Sequence, residues 1–175
     1  MHSRRQKIIV GMISVLLILL GILSIILGFW MVSVWVDVRN TPQVSGTITV
    51  TNRYLLQEFH LIFLSGMLSI IGGSLILRNS RAGWVLGNAV LGYHSLFYPG
   101  TLWKLICPEE MDPFRHLTDQ RLIFIALILV IFIFNLCGLV YLNLRKIKHR
   151  FRVDHTAIWT SCLIILLLSL DRYLL

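Results

Sequence analysis

Five long apolar stretches separated by short polar segments dominate the pattern of this chain. They cover residues 8–36, 55–77, 83–106, 122–144 and 156–175, and each carries few charges between its ends. A helix that crosses a ~30 Å hydrocarbon layer needs ~20 predominantly apolar residues. The pattern therefore predicts an all-α membrane protein, in which a bundle of five transmembrane helices forms a single integral membrane domain over residues 1–175.

The last stretch is the shortest, because its uninterrupted apolar part ends at Leu170. Its apolar residues surround the predicted helix instead of forming one stripe, which favours a helix that crosses the membrane. The alternative is an interfacial helix along the inner surface, which would leave four spans.

The segment between the first two predicted helices has a pattern of its own. After a proline and a glycine, residues 47–51 alternate threonine with isoleucine and valine. Alternation with period two is typical of a strand. The sequence therefore predicts a small extracytoplasmic β-like loop over residues 42–51, which should rest on the helix ends because two strands alone are marginally stable.

Basic residues mark alternate ends of the predicted helices. They cluster in residues 4–7, 78–81 and 145–152, which together hold ten of the sixteen Lys and Arg residues, whereas seven of the eight acidic residues fall at the other ends. Lys and Arg concentrate on the cytoplasmic side of membrane proteins. We therefore expect a cytoplasmic N-terminus, in a plasma membrane or a bacterial inner membrane.

Composition agrees with burial in lipid. Hydrophobic residues make up 57% of the chain and charged residues 14%, more apolar surface than one core of this size would hide from water. The net charge of +8 could suggest a nucleic-acid partner. A basic cluster directly after an apolar helix instead predicts contact with anionic lipid. Its members are Arg145, Lys146, Lys148, Arg150 and Arg152.

Small residues recur at helical spacing in the first three stretches. In lipid, helices gain packing energy where small side chains let their backbones approach closely. We expect the first two helices to meet through these positions, and the third to use a similar face. The residues are Gly21, Ser24 and Gly28 in the first helix, Gly66, Ser69 and Gly73 in the second, and Gly83 and Gly87 in the third.

His94 is the sharpest candidate for chemistry, because it lies about halfway along the third apolar stretch. Polar side chains within the hydrocarbon are expensive and face the bundle interior or a cavity. One interpretation is a neutral, structural imidazole; the other is a proton relay or a ligand-binding group. In the same way, Asn88 and Asn135 are expected to pair as a polar contact between the third and fourth helices.

A second group of candidate polar residues lies toward the outer side. Glu58 and His60 begin the second apolar stretch, and His116 lies in the acidic outer loop. Two ligands are too few for a zinc site, so a metal site made by all three is a weaker alternative. We therefore expect no metal and no cofactor.

Recognisable catalytic signatures are absent from the sequence, including H-E-x-x-H, G-x-S-x-G and a Walker loop. The leading hypothesis is a non-enzymatic multi-pass membrane protein that acts as an accessory, scaffold or interaction subunit. Its expected partners are the lipid bilayer and other membrane proteins or copies of itself, not nucleic acid. The alternatives are a small transporter or channel-like oligomer, and a membrane-embedded enzyme that acts on a lipid or quinone near His94.

Overall fold

The computed structural model describes residues 4–40, 52–107 and 118–174, and every regular element in these ranges is helical. The predicted all-α class is therefore confirmed. The predicted β-like loop over residues 42–51 lies outside the described residues. The helices are α1 (Arg4–Asn40), α2 (Asn52–Leu77), α3 (Arg81–Ile106), α4 (Thr118–Leu142), α5 (Arg145–Arg150) and α6 (His155–Leu174).

Two helices end in the same type of turn. After α2, Asn79 adopts a φ of 53° and donates its N–H to Ile76, while Ser80 donates to Leu75. This pair of bonds is the Schellman pattern, which satisfies the last carbonyls of a helix. After α5 the pattern repeats, with Arg152 at a φ of 52°. Both turns fall at the same end of the bundle.

That end also holds the start of α1, because the Arg150 guanidinium donates to the Gln6 carbonyl across 3.4 Å. We call it the basic end, defined by residues 4–7, 78–81 and 145–154, and the opposite end of the bundle the far end. The short helix α5 was not predicted as a separate element, since its six residues lie within the basic segment between two apolar stretches.

The helix α3 lies at the centre of the bundle. It packs against α2, α4 and α6, while α1 packs mainly against α2. Contacts between α3 and α6 join Arg81 to Asp154 and Asn88 to Ser161, and both pairs are 73 residues apart. A constant separation means that the two helices run parallel and in register.

The best-buried part of the core lies near the basic end. Trp84 and Phe151 are the largest fully buried side chains, and they pack with Leu17, Ile76 and Leu142. The Trp84 indole Nε1 donates a 2.8 Å hydrogen bond to the Leu142 carbonyl. This bond occupies a carbonyl at the end of α4 that has no partner within its own helix.

Among the described residues, two segments are long and apolar enough, by length and composition, to cross a membrane: Arg4–Trp30 and Ile125–Leu142. Both lie largely on the outside of the bundle. Ile62–Leu77 and His155–Asp171 are also apolar, but they are shorter. The regular elements in ranges 4–40, 52–107 and 118–174 are thus all helical, and two of these helices satisfy this test, fewer than the five that the sequence predicts.

Candidate functional site

A network of polar side chains joins three helices inside the bundle. The Asn143 amide donates to Asn88 Oδ1 across 2.5 Å, and Asn88 Nδ2 donates to Ser161 Oγ across 2.9 Å. Asn143 Nδ2 also contacts the Leu139 carbonyl. Asn88 and Ser161 are buried, so losing either partner would leave an unsatisfied group at a cost of ~1–3 kcal/mol. The network therefore holds α3, the end of α4 and α6 together.

The predicted pairing of Asn88 with Asn135 is wrong. Asn135 lies about two turns before Asn143, which is level with Asn88, and its Nδ2 donates to the Ile131 carbonyl of its own helix. Its side chain is fully buried, and its Oδ1 has no hydrogen-bond partner among the described residues. Asn143, the actual partner, lies just beyond the last residue of α4 and stood out less in the sequence because it falls at a predicted helix end.

His94 lies with other polar groups at about half the depth of the bundle. Its ring stacks on Tyr98 with centroids 5.3 Å apart and meets Tyr93 edge-on at 5.5 Å. The next residue, Ser95, has a buried hydroxyl without a partner in the described part of the chain. Since Asn88 contacts Asn143 and the helices are antiparallel, Ser95 lies at the level of Asn135. Ser95 Oγ and Asn135 Oδ1, which have no partner among the described residues, thus lie at the depth of His94.

The far end contains a close contact between an imidazole and a carboxyl group on two helices. His60 Nδ1, near the start of α2, lies 3.2 Å from Asp171 Oδ2, near the end of α6. Both side chains are partly exposed. The sequence drew attention to His60 but not to Asp171, because 111 residues separate them and nothing local indicates which helices become neighbours.

The side chains of the predicted companions of His60 lie outside the described part of the structure. Glu58 lies within α2, but its side chain is outside the described part of the structure, and His116 is outside the described residues altogether. Within the described ranges, no three His, Cys, Asp or Glu side chains come together in a way that could hold a metal ion. The expectation that Glu58, His60 and His116 form a polar cluster stays a prediction.

At the basic end, α5 lies with its apolar side toward the core. Ile147 and Phe151 are each 1% exposed. The Arg150 guanidinium donates from Nη2 to Asn79 Oδ1 and lies 5.7 Å from the centroid of the Phe151 ring. Arg150 therefore connects α5 to the turn after α2 as well as to α1. Of the other predicted lipid contacts, Lys148 is half-buried, and the exposed ones are Arg145, Lys146 and Arg152.

An ion pair joins the beginning of α6 to the beginning of α3. Asp154 Oδ1 accepts a 2.9 Å hydrogen bond from the Ala157 N–H and lies 2.5 Å from Arg81 Nη2. The first contact caps α6, and the second joins it to the first residue of α3. The Ala157 N–H, assisted by the Arg81 guanidinium, holds the pKa of the Asp154 carboxyl below its usual range.

The glycines of α1 and α2 lie where the two helices approach most closely. A Cβ added to Gly21 would lie 2.5 Å from the Gly66 carbonyl oxygen and 3.0 Å from Ser69 Cβ. A Cβ on Gly66 would lie 3.0 Å from the Gly21 carbonyl oxygen and 3.3 Å from Ser24 Cβ. These four residues face each other across the interface, and only glycine permits this separation of the backbones.

The remaining predicted packing residues are distributed over two interfaces. Gly28 is buried in α1, and Gly73 faces Ser14 of α1, whose carbonyl oxygen would lie 2.7 Å from an added Cβ. Gly83 and Gly87 face α2 instead. An added Cβ would meet the backbone of Leu75 and Ile76 at Gly83, and the Ile76 side chain at Gly87.

Comparison with known proteins adds no relative. No protein-family model, curated protein or solved structure matches this chain. Its function is therefore inferred from the chemistry and positions of its own residues.

Proposed function

We propose that this chain is a five-span helical membrane protein, with α1 to α4 and α6 as its spans, that serves as an accessory, scaffold or interaction subunit. One observation carries the proposal, a comparison of two helices. The buried central helix is α3, which contains Asn88, His94 and several glycines. The almost entirely apolar helix α4, in contrast, exposes about half of the surface of Ile133 and Phe134. In water the apolar helix would be the buried one. In lipid, exposure of such a surface is favourable.

The register of α6 supports a fifth span over an interfacial helix. Its contacts follow α3 from Asp154 at the basic end through Ser161, and Ile165 then packs where a Cβ on Gly92 would lie. At the far end, Asp171 reaches His60 of α2. A helix that accompanies α3 and then pairs with the opposite end of α2 covers the same depth as its neighbours.

The low apolar content of α3 is compatible with a span. Three helices surround α3, so little of its first half reaches the surface; Trp84, Ala89 and Val90 are fully buried. A helix shielded in this way is not in contact with lipid on most of its sides, and its polar groups can be satisfied by neighbouring helices. A test of length and apolarity alone can therefore miss α3 as a membrane span.

The use of the buried polar groups favours an interaction role. Asn88, Asn143 and Ser161 bond to one another, and the Trp84 indole bonds to a backbone carbonyl. These groups are engaged in joining helices. The outward faces of α1 and α4 are large and apolar, which suits contact with the bilayer, with other membrane proteins or with a second copy of the chain.

Cysteine labelling tests the threading. In a background without Cys107, Cys137 and Cys162, single cysteines replace Ser3, Ser80, Gln120 or Leu175, and intact cells are treated with an impermeant maleimide. We expect labelling at positions 120 and 175 and none at positions 3 and 80. Labelling at 80 without labelling at 120 would overturn the orientation. Protection of position 175, with the other three as expected, would favour four spans and an interfacial α6.

A membrane-embedded ligand or enzyme site near His94 is the second candidate, because Ser95 Oγ and Asn135 Oδ1 are buried there without partners in the described structure. Substitution separates the two. If His94 is structural, His94→Gln retains biological function and His94→Leu lowers the amount of folded protein. If His94 acts on a ligand, both variants lose complementation of a deletion strain at expression levels matched to the wild type.

A further inference from the structure

The basic end contains an open recess next to the short helix α5, lined by His149, Arg150, Arg152 and Val153. We propose that this recess binds the phosphate headgroup of an anionic phospholipid. The inference rests on the proposed function, because it requires the basic end to lie at a membrane surface. It goes further by assigning a defined site, where the sequence predicted only a general attraction of basic residues to anionic lipid.

Arg150 supplies a fixed cation to this recess. Its guanidinium donates once to Asn79 Oδ1 and once to the Gln6 carbonyl, and it lies beside the Phe151 ring. A guanidinium has five N–H donors in a planar fork, so these contacts hold the group in place and leave further donors. An arginine held in this way loses less side-chain entropy when it meets a phosphate, and its geometry suits two parallel hydrogen bonds.

Arg152 supplies a second cation from a position where the fold does not require arginine. Its φ of 52° lies in the left-handed region, and its N–H donates to the His149 carbonyl in the turn that ends α5. Glycine is the residue that this turn position ordinarily favours. Because the Arg152 side chain is exposed and its backbone makes the turn contacts, the side chain contributes charge to the recess and not support to the turn.

Apolar surface on both sides of this segment favours a lipid over a free phosphate. Leu144, just before α5, is 47% exposed, and Trp159, in the second turn of α6, is 74% exposed. Tryptophan is enriched at the membrane–water interface. An acyl chain could lie along such residues while its headgroup occupies the recess, whereas a soluble anion would use the cations alone.

The experiment compares lipid binding by the full-length protein purified in detergent, measured by native mass spectrometry with phosphatidylglycerol and with phosphatidylcholine. We expect a preference for phosphatidylglycerol that Arg152→Gly reduces roughly fivefold, the change that ~1 kcal/mol per basic residue implies. The melting temperature should stay the same or rise, because glycine fits the turn. Arg4→Gln is the matched control, since it removes an exposed charge from the basic end outside the recess, and it should weaken binding by less than about twofold.

Three results would overturn the proposal. Equal losses in Arg152→Gly and Arg4→Gln would mean that binding is diffuse electrostatic attraction without a site. Displacement of the lipid by millimolar glycerol 3-phosphate would identify a site for soluble phosphate. Absence of any preference for phosphatidylglycerol in a correctly inserted wild-type protein would reject the recess while leaving the five-span proposal intact; failure to insert would instead reject the five-span proposal.

Discussion

The neighbouring helices α3 and α4 are opposite in character. The first half of α3 combines glycines with Asn88 and is almost completely buried, whereas α4 is a run of Leu, Ile, Val and Phe that exposes Leu129, Val130 and Ile133. Between these two helices, burial therefore follows the ability to make close contacts and hydrogen bonds, not apolarity. This is the behaviour expected when the surrounding medium is as apolar as the side chains and the hydrophobic effect no longer selects which helix lies inside.

The largest effect is expected from side chains added to the small-residue face of α3. Gly83→Leu would drive a side chain into the backbone of Leu75 and Ile76, and we expect a loss of stability of about 3 kcal/mol or more. Gly66→Leu in α2 should also be destabilising, because Gly21 and Ser24 lie opposite. Leu129→Phe on the exposed face of α4 is the control. Thermal unfolding in detergent measures all three, and equal melting temperatures would argue against the distinction between the faces.

A charge on the exposed face of α4 tests the medium around it. Ile133 is 51% exposed, and Ile133→Lys should disfavour membrane insertion by ~2.5–3.5 kcal/mol because it would place an ammonium group near the bilayer centre. Ile133→Ala is the control for lost side-chain volume. The measurement is the fraction of protein that resists carbonate extraction. Undiminished insertion and folding of the lysine variant would mean that α4 faces water.

Substitution of the asparagine in the buried helix α3 should destabilise the protein more than substitution of the asparagine in the exposed helix α4. Asn88→Leu removes the partner of Asn143 and of Ser161, so we expect a loss of about 1–3 kcal/mol. Asn135→Leu should be closer to neutral, because its Oδ1 has no partner in the described structure and its amide bonds only within α4. Denaturation in mixed detergent measures the loss of unfolding free energy in each variant. A larger loss for Asn135→Leu would contradict this prediction, because it would show that Asn135 makes a stronger interaction than Asn88 does.

The smallest expected effect is a pH dependence at the start of α6, where Asp154 caps the helix. The pKa of Asp154 is lowered by the Ala157 N–H and by Arg81. A carboxyl with a lowered pKa in the folded state contributes stability above its unfolded pKa of ~3.9 and loses that contribution as the pH falls through the folded value. The melting temperature of Asp154→Asn should therefore be lower than wild type at neutral pH and should approach it in acid. A difference in melting temperature between wild type and Asp154→Asn that stays constant from pH 3 to pH 7 would contradict this assignment. High salt should reduce the difference at neutral pH.

Local patterns predicted the helices well, because each long apolar run is sufficient to specify a helix. Spacing also directed attention to Gly21 and Gly66, since residues three and four apart share a helix face. The hydrogen-bond partners of polar groups were harder to predict from the sequence. Asn88 contacts Ser161 and Asn143 and not Asn135, and predicting this choice requires the register between helices. The same holds for Asp171, which became a partner of His60 only when α6 lay beside α2.

The parallel pairing of α3 and α6 has a consequence for biosynthesis. Consecutive helices joined by a short turn are antiparallel, so this pair cannot form as a hairpin while the chain is being made. Asn88 and Gly92 must therefore wait until α4 and α5 have left the ribosome before Ser161 and Ile165 reach them. During that interval Asn88 lacks Ser161, and the side of α3 that α6 later covers is open. The nascent protein thus has a defined window in which an insertion factor or a foreign helix could occupy the place that α6 later takes.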